Sequence, residues 1–167
     1  MQHLEFGGWD FIARADRTLW HKTSDTLFLS DLHLGKGAHF RHAGIPIPEA
    51  SELSDLDRLI RAIKDTQATT VWVLGDLFHQ PQSITNAQMD RWHDMLDRLQ
   101  IELNVILGNH DGNLKNENRE DAISPIVDAL NNPRITLLKN SGEYSPESGL
   151  TFNVLSVFDR SNWIKPS

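Results

Sequence analysis

The sequence contains no cysteine, and this absence excludes disulfides, thiolate metal sites and cysteine nucleophiles. It also lacks any apolar run near the ~20 residues that a membrane-spanning helix needs. Residues 1–5 are not basic, and no apolar signal-peptide core follows them. We therefore expect a cytoplasmic protein that makes no membrane contact.

Basic residues are in the minority, with 16 Lys and Arg against 23 Asp and Glu, so the formal net charge is −7. Such a chain lacks the overall positive field of proteins that bind nucleic acid by charge alone. A nucleic-acid substrate is still compatible with this charge, because bound cations would reverse the local field at a site. Eight histidines are present, and none of them follows His110.

The 167 residues are enough for one domain with a buried core, and apolar runs alternate with helix-period segments along them. This alternation predicts an α/β fold of βαβ units around a mainly parallel sheet. We predict one or two edge strands in residues 1–25, a loop over 35–50, and helix caps at Ser51, at Ser83 or Thr85, and at Ser124 with Pro125 in the first turn. The predicted buried strands cover residues 26–30 and 71–74, and further strands are predicted over 101–107, 135–139 and 150–157.

Three of these apolar runs end in polar motifs, namely Asp31-Leu32-His33, Gly75-Asp76 and Gly108-Asn109-His110-Asp111. Right-handed crossovers would bring the three strand ends to one edge of the sheet, where ligands bind in open α/β folds. A single Asp after a strand is often only a turn former. Three such motifs in order are hard to obtain by chance, so we interpret them as one metal site.

The chemistry of these side chains favours a centre with two metal ions. Asp31 and His33 are two residues apart, so both can bind one ion. The two carboxylate oxygens of Asp76 can bridge two ions, and Asn109 offers a neutral carbonyl oxygen. Oxygen and nitrogen ligands without sulfur suit Mn, Fe or Zn better than a soft metal. Two such ions can activate water for attack on a phosphate ester.

The three motifs together resemble the first three motifs of the calcineurin-like metallophosphoesterases, over roughly residues 20–115. Residues 31–36, 40–48 and 75–79 are similar to the ligase-associated DNA damage response endonucleases, the PdeM group. The resemblance implies a metallophosphoesterase-type βαβ sandwich and a metal-dependent phosphoester hydrolase. It further implies a phosphodiesterase or DNA endonuclease in which metal-bound hydroxide attacks phosphorus, with DNA as substrate and repair proteins as partners.

The same resemblance implies a role for each motif residue. His110 would protonate or stabilise the leaving group, and Asp111 would orient its imidazole. Four residues would bind the metal ions: Asp31 and His33 would bind the first ion, Asp76 would bridge the two ions, and Asn109 would bind the second.

The chain departs from the family after His110. The family completes its two metal sites with a lone histidine and a Gly-His-x-His motif late in the chain, and neither is present here. Residues 150–158 look more like other phosphoesterases, such as SbcD-like repair nucleases. We therefore expect residues 1–167 to form a single, C-terminally truncated domain. Two alternatives stay open: a catalytically impaired metal-binding interaction module, and a phosphomonoesterase.

Further side chains beside the motifs are candidates for substrate contact. His79 follows Asp76 by three residues and could touch substrate or form only a local hydrogen bond. Lys36, Arg41 and His42 could meet phosphate oxygens, although a solvated surface explains them equally well.

Overall fold

The computed structural model describes residues 1–46, 50–79, 86–112, 118, 120–145 and 151–162. Within these ranges, Lys22–Ser24 forms a 3-10 helix, and Val157–Asn162 has 3-10 conformation with a kink at Asp159. No helix in the described ranges is long and apolar enough to cross a membrane. The α-helices are α1 Lys36–His42, α2 Ala50–Thr66, α3 Asn86–Leu99 and α4 Ser124–Leu130. The strands are β1 Gln2–Phe6, β2 Trp9–Ala13, β3 Leu19–His21, β4 Thr26–Leu29, β5 Thr70–Leu74, β6 Glu102–Ile106, β7 Ile135–Leu138, β8 Gly142–Tyr144 and β9 Phe152–Val154.

The main sheet has seven strands in sequential order, from β1 to β7. Strands β1 to β4 pair antiparallel, whereas β4 to β7 pair in parallel through the crossover helices α2, α3 and α4. Right-handed crossovers that always move to the next strand place these three helices on one face of the sheet. The predicted α/β fold with a parallel sheet is confirmed.

The sheet separates two apolar clusters, because successive strand residues point to opposite faces. On one side, Leu27 and Val71 pack with α2 and α3. On the other side, Phe28 and Trp72 pack against Phe152 of the small β8–β9 sheet, with ring centroids 5.4 and 4.7 Å apart. The parallel strands therefore contribute apolar side chains to both faces of the sheet, and β4 is buried along its whole length.

The prediction of a loop over residues 35–50 is wrong, because α1 lies within it. Gly35 adopts a φ of 80° immediately before α1, a conformation that favours glycine. The helix is only seven residues long and includes Gly37, so its intrinsic propensity is weak and tertiary contacts decide its formation. The N-terminal region also holds three strands rather than one or two.

Two of the predicted helix caps are wrong. Helix α2 begins at Ala50, so Ser51 lies inside it, and Ser124 is the first residue of α4 rather than its cap. The carboxylate of Asp121 caps α4, since it accepts hydrogen bonds from the N–H groups of Ile123 and Ser124 at 2.8 and 2.6 Å. Pro125 lies in the first turn, as predicted. The predicted caps Ser83 and Thr85 lie outside the described residues.

We expect Asp121→Ala to lower the free energy of unfolding by about 2–3 kcal/mol at pH 7. The Asp121 side chain is fully buried and lies 2.7 Å from Nζ of Lys139. Burial raises the pKa of Asp121, but Lys139 and the donors of Ser124 outweigh it and hold the pKa below its usual range. The stabilisation that ionised Asp121 gives to the folded protein is therefore complete above the unfolded-state pKa of about 4. It is lost as the pH falls through the lowered folded-state pKa.

Urea denaturation at several pH values measures this effect. The exposed Asp128 on the same helix provides the control, and Asp128→Ala should change the unfolding free energy by less than about 0.5 kcal/mol. A loss for Asp121→Ala that is equally large at pH 2 and pH 7 would contradict the assignment.

Candidate metal centre

The loops that follow β4 and β5 bring Asp31, His33 and Asp76 together. One donor atom from each lies within 4.8 Å of the other two. The loops are joined by backbone hydrogen bonds, from Asp31 N–H to Gly75 O at 3.2 Å and from His33 N–H to Asp76 O at 3.0 Å. Because β4 and β5 are adjacent parallel strands, their carboxyl ends place these three side chains at the same edge.

All three of these residues have left-handed backbone conformations, with φ of 54° at Asp31, 45° at His33 and 54° at Asp76. Each such conformation costs about 1 kcal/mol or more for a residue with a side chain. Strained backbone of this kind often marks a functional site. The strain here turns three potential ligands toward a common point.

The loop after β6 is joined to the same centre through buried hydrogen bonds. Oδ2 of Asp111 accepts bonds from the N–H groups of Asp76 and Gly108, at 2.9 and 2.8 Å. The N–H of His110 in turn donates to Oδ1 of Asp76 at 3.0 Å. Burial raises the pKa of Asp111, although the backbone donors of Gly108 and Asp76 oppose the shift. Asp111 therefore fixes two loops relative to each other, and its predicted action on the His110 imidazole stays a prediction.

Gly108 lies against Asp76 so closely that it leaves no space for a side chain. A Cβ atom at this position would be 2.0 Å from Oδ1 and 2.4 Å from the backbone N of Asp76. Position 75 also requires glycine, because its φ is 109° and a Cβ atom there would lie 3.0 Å from Cα of Gly108. The two glycines thus allow the β5 and β6 loops to approach each other.

Four imidazole rings form a cluster on one side of the centre. The ring centroid of His33 lies 5.3 Å from that of His110 and 5.8 Å from that of His79, and His39 lies 5.0 Å from His79. Burial lowers the pKa of His79, and the neighbouring His39, His33, Lys36 and His110 lower it further. His79 is therefore neutral at pH 7.

A cavity of about 330 Å³ opens on the other side of the centre. Asp31, Asp76 and Asn109 all line this cavity. Asn109, the predicted ligand of the second ion, therefore faces the same space as the carboxylates of Asp31 and Asp76. Leu155 and Val157, which follow β9, form part of its wall. The predicted site residues thus line this cavity or belong to the imidazole cluster, except Asp111, which is buried and bonded to the backbone of Asp76 and Gly108.

The donor set fits a divalent metal ion. Two carboxylates and one imidazole converge without sulfur, which is the chemistry that Mn, Fe and Zn accept. Nδ1 of His33 is buried and has no hydrogen-bond partner within the described part of the chain. Across those same residues, Asp31, His33 and Asp76 are the one group of three or more acidic, histidine or cysteine side chains whose donors converge.

Two further residues, Ser30 and His39, lie at the centre and were not predicted from the sequence. Ser30 donates a hydrogen bond to Oδ2 of Asp31 at 2.5 Å. His39 lies outside the three motifs and precedes the position of the late family histidines, so no pattern in the sequence singled it out, whereas α1 places its ring against that of His79. Among the candidate phosphate contacts, Lys36 is exposed at the start of α1 near His79, and the side chain of His42 lies outside the described part.

Comparisons with known proteins agree with this fold. The family model for calcineurin-like phosphoesterases matches residues 25–165. The uncharacterized protein R555 of Acanthamoeba polyphaga mimivirus is 34% identical over 135 residues, which cover 78% of this chain and 9% of that protein. The crystal structure of the Pseudomonas putida nuclease MPE has a TM-score of 0.58 at 23% identity, covering 82% of this chain and 58% of that one. This chain thus spans only part of the length of either protein.

Proposed function

The chain belongs to the calcineurin-like phosphoesterase family, and on that premise we propose that it hydrolyses phosphodiesters at a centre of two divalent metal ions. The predicted phosphoester-hydrolase lineage is confirmed by this membership. The observation that carries the proposal is the convergence of Asp31, His33 and Asp76 at the shared edge of β4 and β5.

Each ligand has a defined part in this proposal. Asp31 and His33 would hold the first ion, Asp76 would be shared, and Asn109 would bind the second from the wall of the cavity. Bound divalent ions would neutralise the phosphate charge and lower the pKa of a water molecule at the centre. The hydrogen bond from His110 N–H to Oδ1 of Asp76 would keep that shared carboxylate in position.

The imidazole cluster supplies the groups that handle protons and phosphate oxygens. By the motif resemblance His110 would protonate the leaving oxygen, and its exposed side chain beside His33 is accessible to a substrate. His79 is neutral at pH 7 and retains one N–H, with which it would donate to a phosphate oxygen. His39 packs against His79 and would hold that ring toward the centre.

We further propose DNA as the substrate and Mn as the metal, with DNA repair in the cytoplasm as the setting and repair proteins as partners. The motif resemblance to the ligase-associated endonucleases supports this choice. The fold likeness to the Pseudomonas putida nuclease is consistent with it. The chain carries a net charge of −7, so binding to a polyanion would depend on the ions at the centre.

We expect chelator-treated protein to lose hydrolysis of bis-p-nitrophenyl phosphate by more than about a hundredfold, and added Mn to restore it. The reason is that Asp31, His33 and Asp76 alone provide no positive charge opposite the phosphate. Rates are measured with Mn, Fe, Zn and Mg, with p-nitrophenyl phosphate as the monoester comparison. Diester hydrolysis that persists without metal would contradict the proposal, and a preference for the monoester would favour the phosphomonoesterase alternative.

One observation favours a second candidate, a metal-binding interaction module with impaired catalysis. The 167 residues hold no histidine after His110, so the later family ligands are absent from them. Elemental analysis of Mn-loaded protein separates the two candidates. Two ions per chain would support the enzyme, whereas zero or one ion, together with unmeasurable hydrolysis, would support the module.

A further inference from the structure

Strand β1 forms a free edge of the seven-stranded sheet. It pairs with β2 over five residues without a bulge, and in the described structure it has no neighbour on its other side. All five of its residues are exposed, with Leu4 at 40% and Phe6 at 79%. Proteins usually protect such an edge with charged side chains, proline or a bulge; β1 has no proline and no bulge, and Glu5 is its one acidic or basic side chain apart from His3. The edge is therefore suited to pair with another strand.

The turn between β1 and β2 determines which backbone groups face outward. Gly7 and Gly8 have φ of 59° and 80°, as a type I′ turn requires, so Phe6 and Trp9 close the turn with a hydrogen bond. Inward and outward groups alternate along an antiparallel strand. The N–H and C=O groups of His3 and Glu5 therefore point away from β2, toward the open edge.

We propose that β1 pairs antiparallel with β1 of a second copy of this chain, about a twofold axis at Leu4. In this register His3 faces Glu5 of the partner subunit, and the two residues exchange both backbone hydrogen bonds. The same pair forms again across the axis, because a twofold interface repeats each contact. Leu4 meets Leu4 of the partner subunit on the other face of the strand.

The side chains of β1 favour this register over the registers that are shifted by one residue. A shift of the axis to His3 would place two histidines opposite each other, and a shift to Glu5 would oppose two carboxylates, which is destabilising. Glu5 already lies across from Asp10 within the hairpin, and no ion pair joins it to another described residue. His3 of the partner subunit would thus give Glu5 a complementary neighbour that its own hairpin lacks.

The pairing leaves both metal centres accessible. Strand β1 is separated from β4 by β2 and β3, and the centre lies beyond the ends of β4, β5 and β6. The inference is therefore independent of the proposed hydrolysis, and hydrolysis per chain should be the same for monomer and dimer.

Sedimentation equilibrium of the full chain over about 1–500 μM tests the proposal. We expect a mass rising toward twice the 19.0 kDa of one chain. His3→Pro removes an N–H that faces solvent, so the hairpin is kept while the edge is blocked. This variant should stay monomeric with an unchanged thermal melt. A wild-type protein that is monomeric throughout, or a dimer that survives His3→Pro, would overturn the proposal.

A charge exchange tests the register itself. Glu5→Lys should weaken the dimer about tenfold, since both symmetric pairs lose their complementary charge. The double variant His3→Glu with Glu5→Lys should restore the wild-type dissociation constant. Glu143→Lys makes the same charge change at an exposed position of β8 and should leave the dissociation constant unchanged. A double variant no tighter than Glu5→Lys would overturn this register.

Discussion

Asp76→Asn is expected to reduce Mn-stimulated hydrolysis of bis-p-nitrophenyl phosphate by more than about a hundredfold. Asparagine keeps the size of the side chain and can still accept the 3.0 Å hydrogen bond from His110 N–H. It loses the negative charge and one of the two oxygens through which Asp76 would be shared between ions. The substitution therefore removes metal affinity while it leaves the fold intact.

Three measurements on Asp76→Asn distinguish these effects: kcat/KM at saturating Mn, metal content per chain, and the thermal melt. Asp128→Asn makes the same chemical change at an exposed position of α4, so its activity should match that of the wild type. Unchanged hydrolysis and metal content in Asp76→Asn would exclude Asp76 as a ligand.

Gly108→Ala should abolish activity to a similar extent and also lower the free energy of unfolding by about 2–4 kcal/mol. The new methyl group would be 2.0 Å from Oδ1 of Asp76, so either Asp76 or the β6 loop must move. Movement of the loop would also break the 2.8 Å bond from Gly108 N–H to Asp111. The predicted effect thus combines lost ligand geometry with lost backbone hydrogen bonds.

The matched control for Gly108→Ala is Gly44→Ala. Gly44 has a φ of 79°, but a Cβ atom added there would meet no atom within 4 Å, so alanine causes strain without a clash. We expect Gly44→Ala to cost about 1 kcal/mol of stability and to retain metal binding. Metal content and activity at wild-type levels in Gly108→Ala would contradict the close packing described for this loop.

The parallel strands could be predicted because each contributes apolar side chains to both faces of the sheet and therefore appears as a short apolar run. Strands β4, β5, β6 and β7 all lie within or next to the predicted ranges. Helix α1 could not be predicted, since its seven residues include a glycine and follow another. Its position depends on contacts with distant residues such as His79, which a local pattern does not contain.

The candidate site, like the fold, could be predicted only in part from the sequence. The motifs indicated Asp31, His33 and Asp76 correctly as neighbours, but the reason given was the alternation of side chains along a strand. In the structure β4 ends at Leu29, and left-handed backbone at Asp31 and His33 produces the convergence instead. The hydrogen bonds that Asp111 accepts from two loops could not be predicted from the sequence either, because they depend on how closely Gly108 approaches Asp76.

The sequential order of the strands also has a consequence for folding kinetics. The contacts that join the centre connect residues only about one βαβ unit apart, such as Asp76 and Asp111, which are separated by 35 positions. Loop closure over such distances is entropically inexpensive compared with closure across a whole domain. We therefore expect the segment from β4 to β6 to form its ligand loops before β8 and β9 dock on the opposite face, an order that φ-value analysis would test.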